Sequence, residues 1–249
     1  MSMYFGWRGT VGIVKPSYRP HALQDFMNLV PDGVAVIPNR LGAREGSDQE
    51  FERLGTIVEE RVAELVDVGA DVVVISGTPI TTTTGGLEGD AKLRADLEKK
   101  HGVPILTATQ LAVDSFHALG VKRMLIIDYI ADQVVRGKFA QLFRDAGFEV
   151  TDHEFFTLEG SGVPFGDLGK IPPQEVYAFA KKAYLNTPDV DAIYLLGSGW
   201  RVLPIVEVLE NDVNTTVVTN LSHELWGIRK QLHIDEPLEG YGRLLRELP

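Results

Sequence analysis

The sequence predicts an α/β protein of two pseudo-symmetric lobes, each a four-stranded parallel sheet flanked by helices, with an active site in the cleft between the lobes. Three observations carry that expectation. Eight short runs rich in β-branched residues, at 11–14, 34–37, 71–75, 105–107, 123–127, 149–151, 192–196 and 216–219, alternate with longer segments of helical period. Such alternation belongs to a parallel sheet with crossover helices. The run Gly69-Ala70-Asp71-Val72-Val73-Val74-Ile75-Ser76-Gly77-Thr78 is echoed by Asp189-Val190-Asp191-Ala192-Ile193-Tyr194-Leu195-Leu196-Gly197-Ser198-Gly199, as if one plan were used twice about a pseudo-twofold axis. On that axis Gly77 and Ser198 face each other. Finally, 249 residues with 44% hydrophobic content can bury one large core or two small ones, so pattern rather than composition decides.

Taken along the chain, the first helix with a clear signature follows the second strand. Ser47 and Glu50 stand at capping-box spacing, and Leu54, Ile57, Val58, Val62 and Leu65 fall on one face, which predicts a single sheet-covering helix. A later helix starts at Thr109, carries Ala112, Phe116 and Leu119 at helical spacing, and stops at Gly120, a residue suited to the left-handed stop conformation. Its end marks the lobe boundary, giving one lobe of residues 1–117 plus 226–249 and a second of 118–225. Residues 160–169, glycine-rich with one proline, have no period and read as a surface loop, with a lid as the functional alternative.

Composition narrows the function. The net charge of −11 is spread through amphipathic segments and the basic residues form no stripe, which argues against nucleic acid as a partner. No apolar run approaches the ~20 residues of a membrane span, and no leader-like stretch is evident, so the expectation is a soluble, cytoplasmic protein. With no cysteine, disulfides, thiolate metal sites and thiol nucleophiles are excluded from this chain. Neither histidines nor carboxylates recur at metal-ligand spacing, and the glycine-rich turns lack a nucleotide fingerprint; no cofactor is implied.

Open parallel sheets bind ligands beyond the carboxyl ends of their strands. The residues there are Lys15, Pro16 and Ser17; Asn39 and Arg40; the stretch from Gly77 to Thr84; Asp128 and Tyr129; Gly197, Ser198 and Gly199; and Asn220 to His223. Hydroxyls, amides and small residues dominate, a rim suited to a carboxylate and to the enolate that develops from it. Each has a plainer reading. The threonines 81–84 suit a loop that bonds its own backbone, Tyr129 a core-edge aromatic, and Ser198 a tight turn. Lys15 and Arg40 can be snorkelling surface charges, and His223 a helix-start histidine.

In order and spacing, Val11-Gly12-Ile13-Val14, Gly77-Thr78, His101-Gly102-Val103-Pro104, Ala118-Leu119-Gly120-Val121-Lys122-Arg123, Tyr129-Ile130, the stretch Leu195 to Gly199, Trp226 and the ending Gly240-Tyr241-Gly242-Arg243-Leu244 are joined over most of the chain. Together they resemble the aspartate/glutamate racemase superfamily, and within it the branch of arylmalonate decarboxylases and maleate cis-trans isomerases. The resemblance implies a carboxylate held by hydroxyls and amides, with Thr78 and Tyr129 as pocket hydroxyls and the Gly199 N–H as a backbone donor. The second carboxylate leaves as carbon dioxide, and the enediolate is protonated by a cysteine. That cysteine aligns with Ser198, and the second cysteine of the racemases and isomerases aligns with Gly77. Both thiols are missing here, and Pro79 stands where the decarboxylase pattern has serine, which removes a hydroxyl and a backbone donor.

An unassisted hydroxyl is too weak an acid to replace a thiol, so two-thiol racemisation is excluded. The expectation is a cysteine-free, cofactor-independent lyase acting on a small carboxylated substrate, with Ser198, Tyr129 and His223 catalytic. Gly77, Thr78, Gly199, Lys15, Ser17, Arg40 and Asn220 are then the substrate-binding residues, with no metal. His223 is considered as the replacement acid or base reaching Ser198. Alternatives are a serine hydrolase, with Ser198 activated by His223 or Lys15, and a non-catalytic carboxylate binder. The superfamily's habit suggests a homodimer.

Overall fold

The computed structural model describes residues 6–17, 19–82, 85–187 and 189–249. All eight expected strands are present: β1 (Gly9–Lys15), β2 (Val34–Arg40), β3 (Val72–Ile75), β4 (Ile105–Thr107), β5 (Arg123–Asp128), β6 (Glu149–Phe155), β7 (Ala192–Leu195) and β8 (Thr216–Thr219). They form two four-stranded sheets ordered β2-β1-β3-β4 and β6-β5-β7-β8, with every pairing parallel. The identical order in the two halves gives the sequence echo its physical meaning, since β3 and β7 occupy equivalent places. Every residue of β3, β7 and β8 is buried. Strands covered by helices on both faces need apolar side chains on both, which is why β3 and β7 are continuously apolar and β8 carries two valines between its terminal threonines.

The edge strand β6 extends to Phe155, four residues beyond the expected 149–151. Its continuation Asp152-His153-Glu154 is polar because an edge strand faces water on one side, and the register against β5 shifts between Met124 and Leu125. The helix after β2 is also different from expectation. It is two helices, Asp48–Gly55 and Val58–Asp67, with the break at Thr56, whose hydroxyl and N–H both turn back to the Arg53 carbonyl. Ser47 caps the first by accepting the Glu50 N–H at 3.3 Å. The Glu50 carboxylate does not complete a capping box; it accepts the N–H groups of Arg44, Glu45 and Gly46 and pins the preceding loop.

The helix Ala108–Ala118 begins one residue before Thr109, because Thr107 is the cap and accepts the Gln110 N–H. It ends, as expected, before a left-handed Gly120 with φ 71°. The helix Asn220–Gln231 spans positions 225 and 226, joining the two halves: its first turn is capped by Thr219 of β8 and its body packs on Ala108–Ala118. Residues 160–169 are more structured than a bare surface loop. A 3₁₀ helix runs over Phe165–Lys170 with Leu168 fully buried, and Phe165 packs edge-on to Phe51. Among the described residues no helix is long and apolar enough to cross a membrane.

Candidate active site

The carboxyl ends of β1, β3, β5, β7 and β8 converge on one cleft. Its walls include Ser17, Gly77, Thr78, Tyr129, Ser198, Gly199 and Asn220, so seven of the ten residues expected from sequence line it, and Phe51 and Phe165 close one side. The cleft is narrow and partly open to solvent, with about 30 Å³ of free space between its walls. Among the described residues no acidic side chain lines it.

Tyr129 follows the end of β5 directly. Asp128, fully buried, accepts the Ile130 N–H at 2.6 Å and pairs with Arg136 and His153, which fixes the turn that aims the phenol into the cleft. Trp200 stands edge-on to the ring at 5.0 Å. The β7 turn lies directly against it: a Cβ on Gly197, whose φ is 116°, would come within 2.5 Å of the Tyr129 ring. Only glycine allows that approach. The Gly199 N–H donates to the Tyr129 hydroxyl oxygen at 2.8 Å. This corrects one expectation, since the amide foreseen as a direct ligand donor acts through the tyrosine. Burial, ahead of every other influence, pushes the Tyr129 pKa up, so the phenol keeps its proton and serves as a hydrogen-bond donor rather than a base.

Behind the cleft lies a polar chain that sequence did not reveal. The Gly197 N–H donates to Asn220 Oδ1, which identifies that atom as the amide oxygen. Tyr194 sits 3.2 Å from the same oxygen and 3.2 Å from His223 Nε2. Since Asn220 Oδ1 can only accept, Tyr194 donates to it, and His223 must then carry its proton on Nε2 and donate to Tyr194. Thr78 also hydrogen-bonds Tyr194. The chain ties the end of β3 to the end of β7 and to the helix after β8. Asn220 Nδ2 has no hydrogen-bond partner among the described residues, leaving an amide donor at the cleft wall.

Three expected site residues lie elsewhere. His223 is wholly buried and does not reach Ser198; burial, with the Lys15 charge adding to it, pushes its pKa down to about 3, so it stays neutral. It anchors the polar chain instead. Lys15 is 3% exposed and its ammonium is engaged by Glu224 and Ser76, each at 3.3 Å. It borders a small neighbouring cavity that shares Ser198 with the cleft. Arg40 points into a separate recess beside the cleft. Asn39 bonds Glu64 and the Arg40 N–H and takes no part. Of the threonine run, residues 81 and 82 belong to the helix Thr78–Thr82, while 83, 84 and the side chains of 81 and 82 lie outside the described residues. Ser198 Oγ makes no hydrogen bond to a described residue.

The His223 environment has a pH signature. In the unfolded chain the imidazole titrates near 6.5, whereas in the folded protein it resists protonation down to about 3. The unfolded state therefore binds the extra proton first. The stability associated with the neutral ring is complete above pH ~6.5 and is lost as pH falls toward 3, at up to ~1.4 kcal/mol per pH unit. Urea midpoints measured from pH 7 to pH 4 should fall less steeply for His223→Gln than for the unaltered protein; equal slopes would contradict this assignment.

The pattern of the arylmalonate decarboxylase family matches residues 11–245. The chain belongs to that family. The arylmalonate decarboxylase of Bordetella bronchiseptica is 23% identical over 240 residues, covering 96% of this chain and 97% of the relative. A solved arylmalonate decarboxylase double mutant in its liganded form superposes with a TM-score of 0.84 at 22% identity, covering 96% of this chain and 99% of that one. The maleate isomerase of Pseudomonas putida gives 0.83 at 20% identity, covering 97% and 99%. The fold is thus that of both kinds of enzyme. Within the arylmalonate decarboxylase family this chain is cysteine-free, and its Gly77 position has no room for a side chain: φ is 94° and a Cβ would lie 2.4 Å from Pro16 Cγ.

Proposed function

We propose that this chain is a cofactor-independent decarboxylase of small malonate-type substrates, working through an enediolate without sulfur. The observation that carries the reading is the pair of neutral donors on a cleft that no acidic side chain lines among the described residues: the protonated Tyr129 hydroxyl and the spare Asn220 amide, with Thr78, whose hydroxyl donates to Tyr194, holding the wall between them. Such donors hold one carboxylate, and they bond more strongly to the enediolate as charge builds on its oxygens in a site of low dielectric. The other carboxylate then sits against the apolar walls of Phe51, Ile130, Phe165 and Leu196, where an anion is poorly solvated and its loss as neutral carbon dioxide is favoured.

In the proposed step the bond from the α-carbon to the departing carboxylate breaks, and its electron pair enters the enediolate. A proton from solvent then adds to the α-carbon. Ser198 lies between the cleft and the small cavity beside Lys15, which has about 20 Å³ of free space, enough for one water. Its hydroxyl relays the proton by giving its own to carbon and taking one from that water, and the hydroxide so formed takes a proton from bulk solvent, so that one solvent proton is consumed per carbon dioxide released. The hydrolase alternative lacks an activating base: His223 Nε2 is engaged by Tyr194 and Lys15 by Glu224 and Ser76.

Incubation with aryl-, alkenyl- and alkylmalonates, with and without a second anionic group on the substituent, is expected to release one equivalent of carbon dioxide. In D₂O it should leave one deuterium on the α-carbon of the product. A panel in which none of these acids loses carbon dioxide defeats the proposal.

A further inference from the structure

Although the chain carries 35 acidic against 24 basic residues, three arginines converge on one recess of about 240 Å³ beside the cleft. Arg19, Arg40 and Arg44 line it, and among the described residues no aspartate or glutamate does. The guanidinium groups of Arg40 and Arg44 have no ion-pair or hydrogen-bond partner among the described residues. Isolated surface arginines are usually solvated and need no explanation. Here like charges share one concavity, Arg40 and Arg44 with no counter-ion among the described residues of its walls, an arrangement whose mutual repulsion a bound anion would relieve.

The recess is also held in shape. Leu41 N–H donates to the Lys15 carbonyl at 2.8 Å, and the N–H groups of Gly42 and Ala43 both donate to the Pro16 carbonyl at 2.9 and 2.7 Å. The buried Glu50 carboxylate clamps the next three N–H groups, starting with that of Arg44. The loop bearing Arg40 and Arg44 is thereby fixed before any ligand arrives, which lowers the ordering cost of binding. Two links join the recess to the cleft. Ser17 lines both cavities. Arg19 donates to the carbonyl of Phe165, a cleft residue, lies over its ring at 5.4 Å, and its charge acts on the Tyr129 hydroxyl.

We propose that Arg19, Arg40 and Arg44 form a subsite for a second anionic group, a carboxylate or phosphate at the far end of the substrate's α-substituent. The substrate class is then a malonate with a distal anion rather than a plain arylmalonate, an assignment that rests on the decarboxylase reading for what occupies the cleft itself. Guanidinium forks suit both planar carboxylates and phosphates, binding them through paired N–H donors.

Calorimetric titration at low salt with three product-like acids tests this: phenylacetate, 1,4-phenylenediacetate and 4-(phosphonomethyl)phenylacetate. With the unaltered protein, at least one of the two dianions is expected to bind about tenfold or more tightly than phenylacetate, the worth of one charge-assisted pair. Which dianion gains distinguishes carboxylate from phosphate. In the R40Q/R44Q variant, altered at two exposed positions, that gain should vanish while the Kd for phenylacetate is unchanged. A gain that survives in R40Q/R44Q, or no gain for either dianion, overturns the subsite. An arginine-dependent gain without loss of carbon dioxide from any malonate would instead remove the decarboxylase reading and leave the anion site standing.

Discussion

Replacing Tyr129 with phenylalanine is expected to lower kcat for malonate decarboxylation by about 10²- to 10³-fold, the usual consequence of losing one preorganised donor to a developing oxyanion. The geometry explains why so small a change should matter. The phenol is buried, keeps its proton, and already accepts the Gly199 N–H at 2.8 Å, so its remaining interaction is the one it offers the ligand. The phenyl ring that remains in such a variant would retain the packing against Trp200 and the glycine turn, since the hydroxyl alone is removed. The Gly199 N–H would lose its acceptor, at a cost to stability of about 1–3 kcal/mol. A loss concentrated in kcat, with KM little altered, identifies a donor that acts in the transition state. Unchanged turnover on every accepted substrate would show that charge is stabilised elsewhere.

Glu224→Ala is expected to destabilise the fold by about 3–5 kcal/mol, because it strands the Lys15 ammonium in a site that is 3% exposed. For a chain of this length that corresponds to a fall in Tm on the order of 10 °C. Lys15 and Glu224 also enclose Ser76, whose hydroxyl bonds the carboxylate, so the triad joins the ends of β1 and β3 to the helix Asn220–Gln231. Removing both charges together, as in Lys15→Met with Glu224→Leu, should restore most of the stability, because a buried pair contributes little beyond an apolar pair of similar volume. Urea unfolding of the single and double variants checks both statements. A single variant as stable as the unaltered protein would mean that Lys15 finds solvent or another partner.

The contrast between Lys15 and Tyr129 shows how far strand-end reasoning carries. One rule places both at the rim, and both are there. Tyr129 faces the cleft because Asp128 and the glycine turn orient it; Lys15 turns into the protein because Glu224, 209 residues away, offers it a carboxylate. Asp128 adjoins Tyr129 in the chain, but the glycine turn against its ring lies some seventy residues away and the carboxylate that takes Lys15 lies farther still, so local sequence does not distinguish these outcomes. Tyr194 is legible in sequence only as one apolar position in a buried strand, yet its hydroxyl is the hub linking Thr78, Asn220 and His223. A tyrosine amid an otherwise aliphatic strand is the one signal that could mark it, since a buried phenol needs a partner. Sequence places His223 correctly at a helix start and incorrectly as a base reaching Ser198, since the same first turn that sets it after β8 also buries it.

Sequence by itself determined the eight strands, their grouping into two equivalent halves, and the strand ends that border the cleft, because period and turn chemistry are local properties of the chain. It also determined that the chain carries no thiol. Tertiary structure alone decided which rim residues share a cleft, which are tied into buried pairs, and that three arginines, from the end of β2 and the segments after β1 and β2, meet beside it. Those outcomes depend on partners distant in sequence and on burial, which sets whether a charge or proton is held or released, and neither quantity is written in a local pattern.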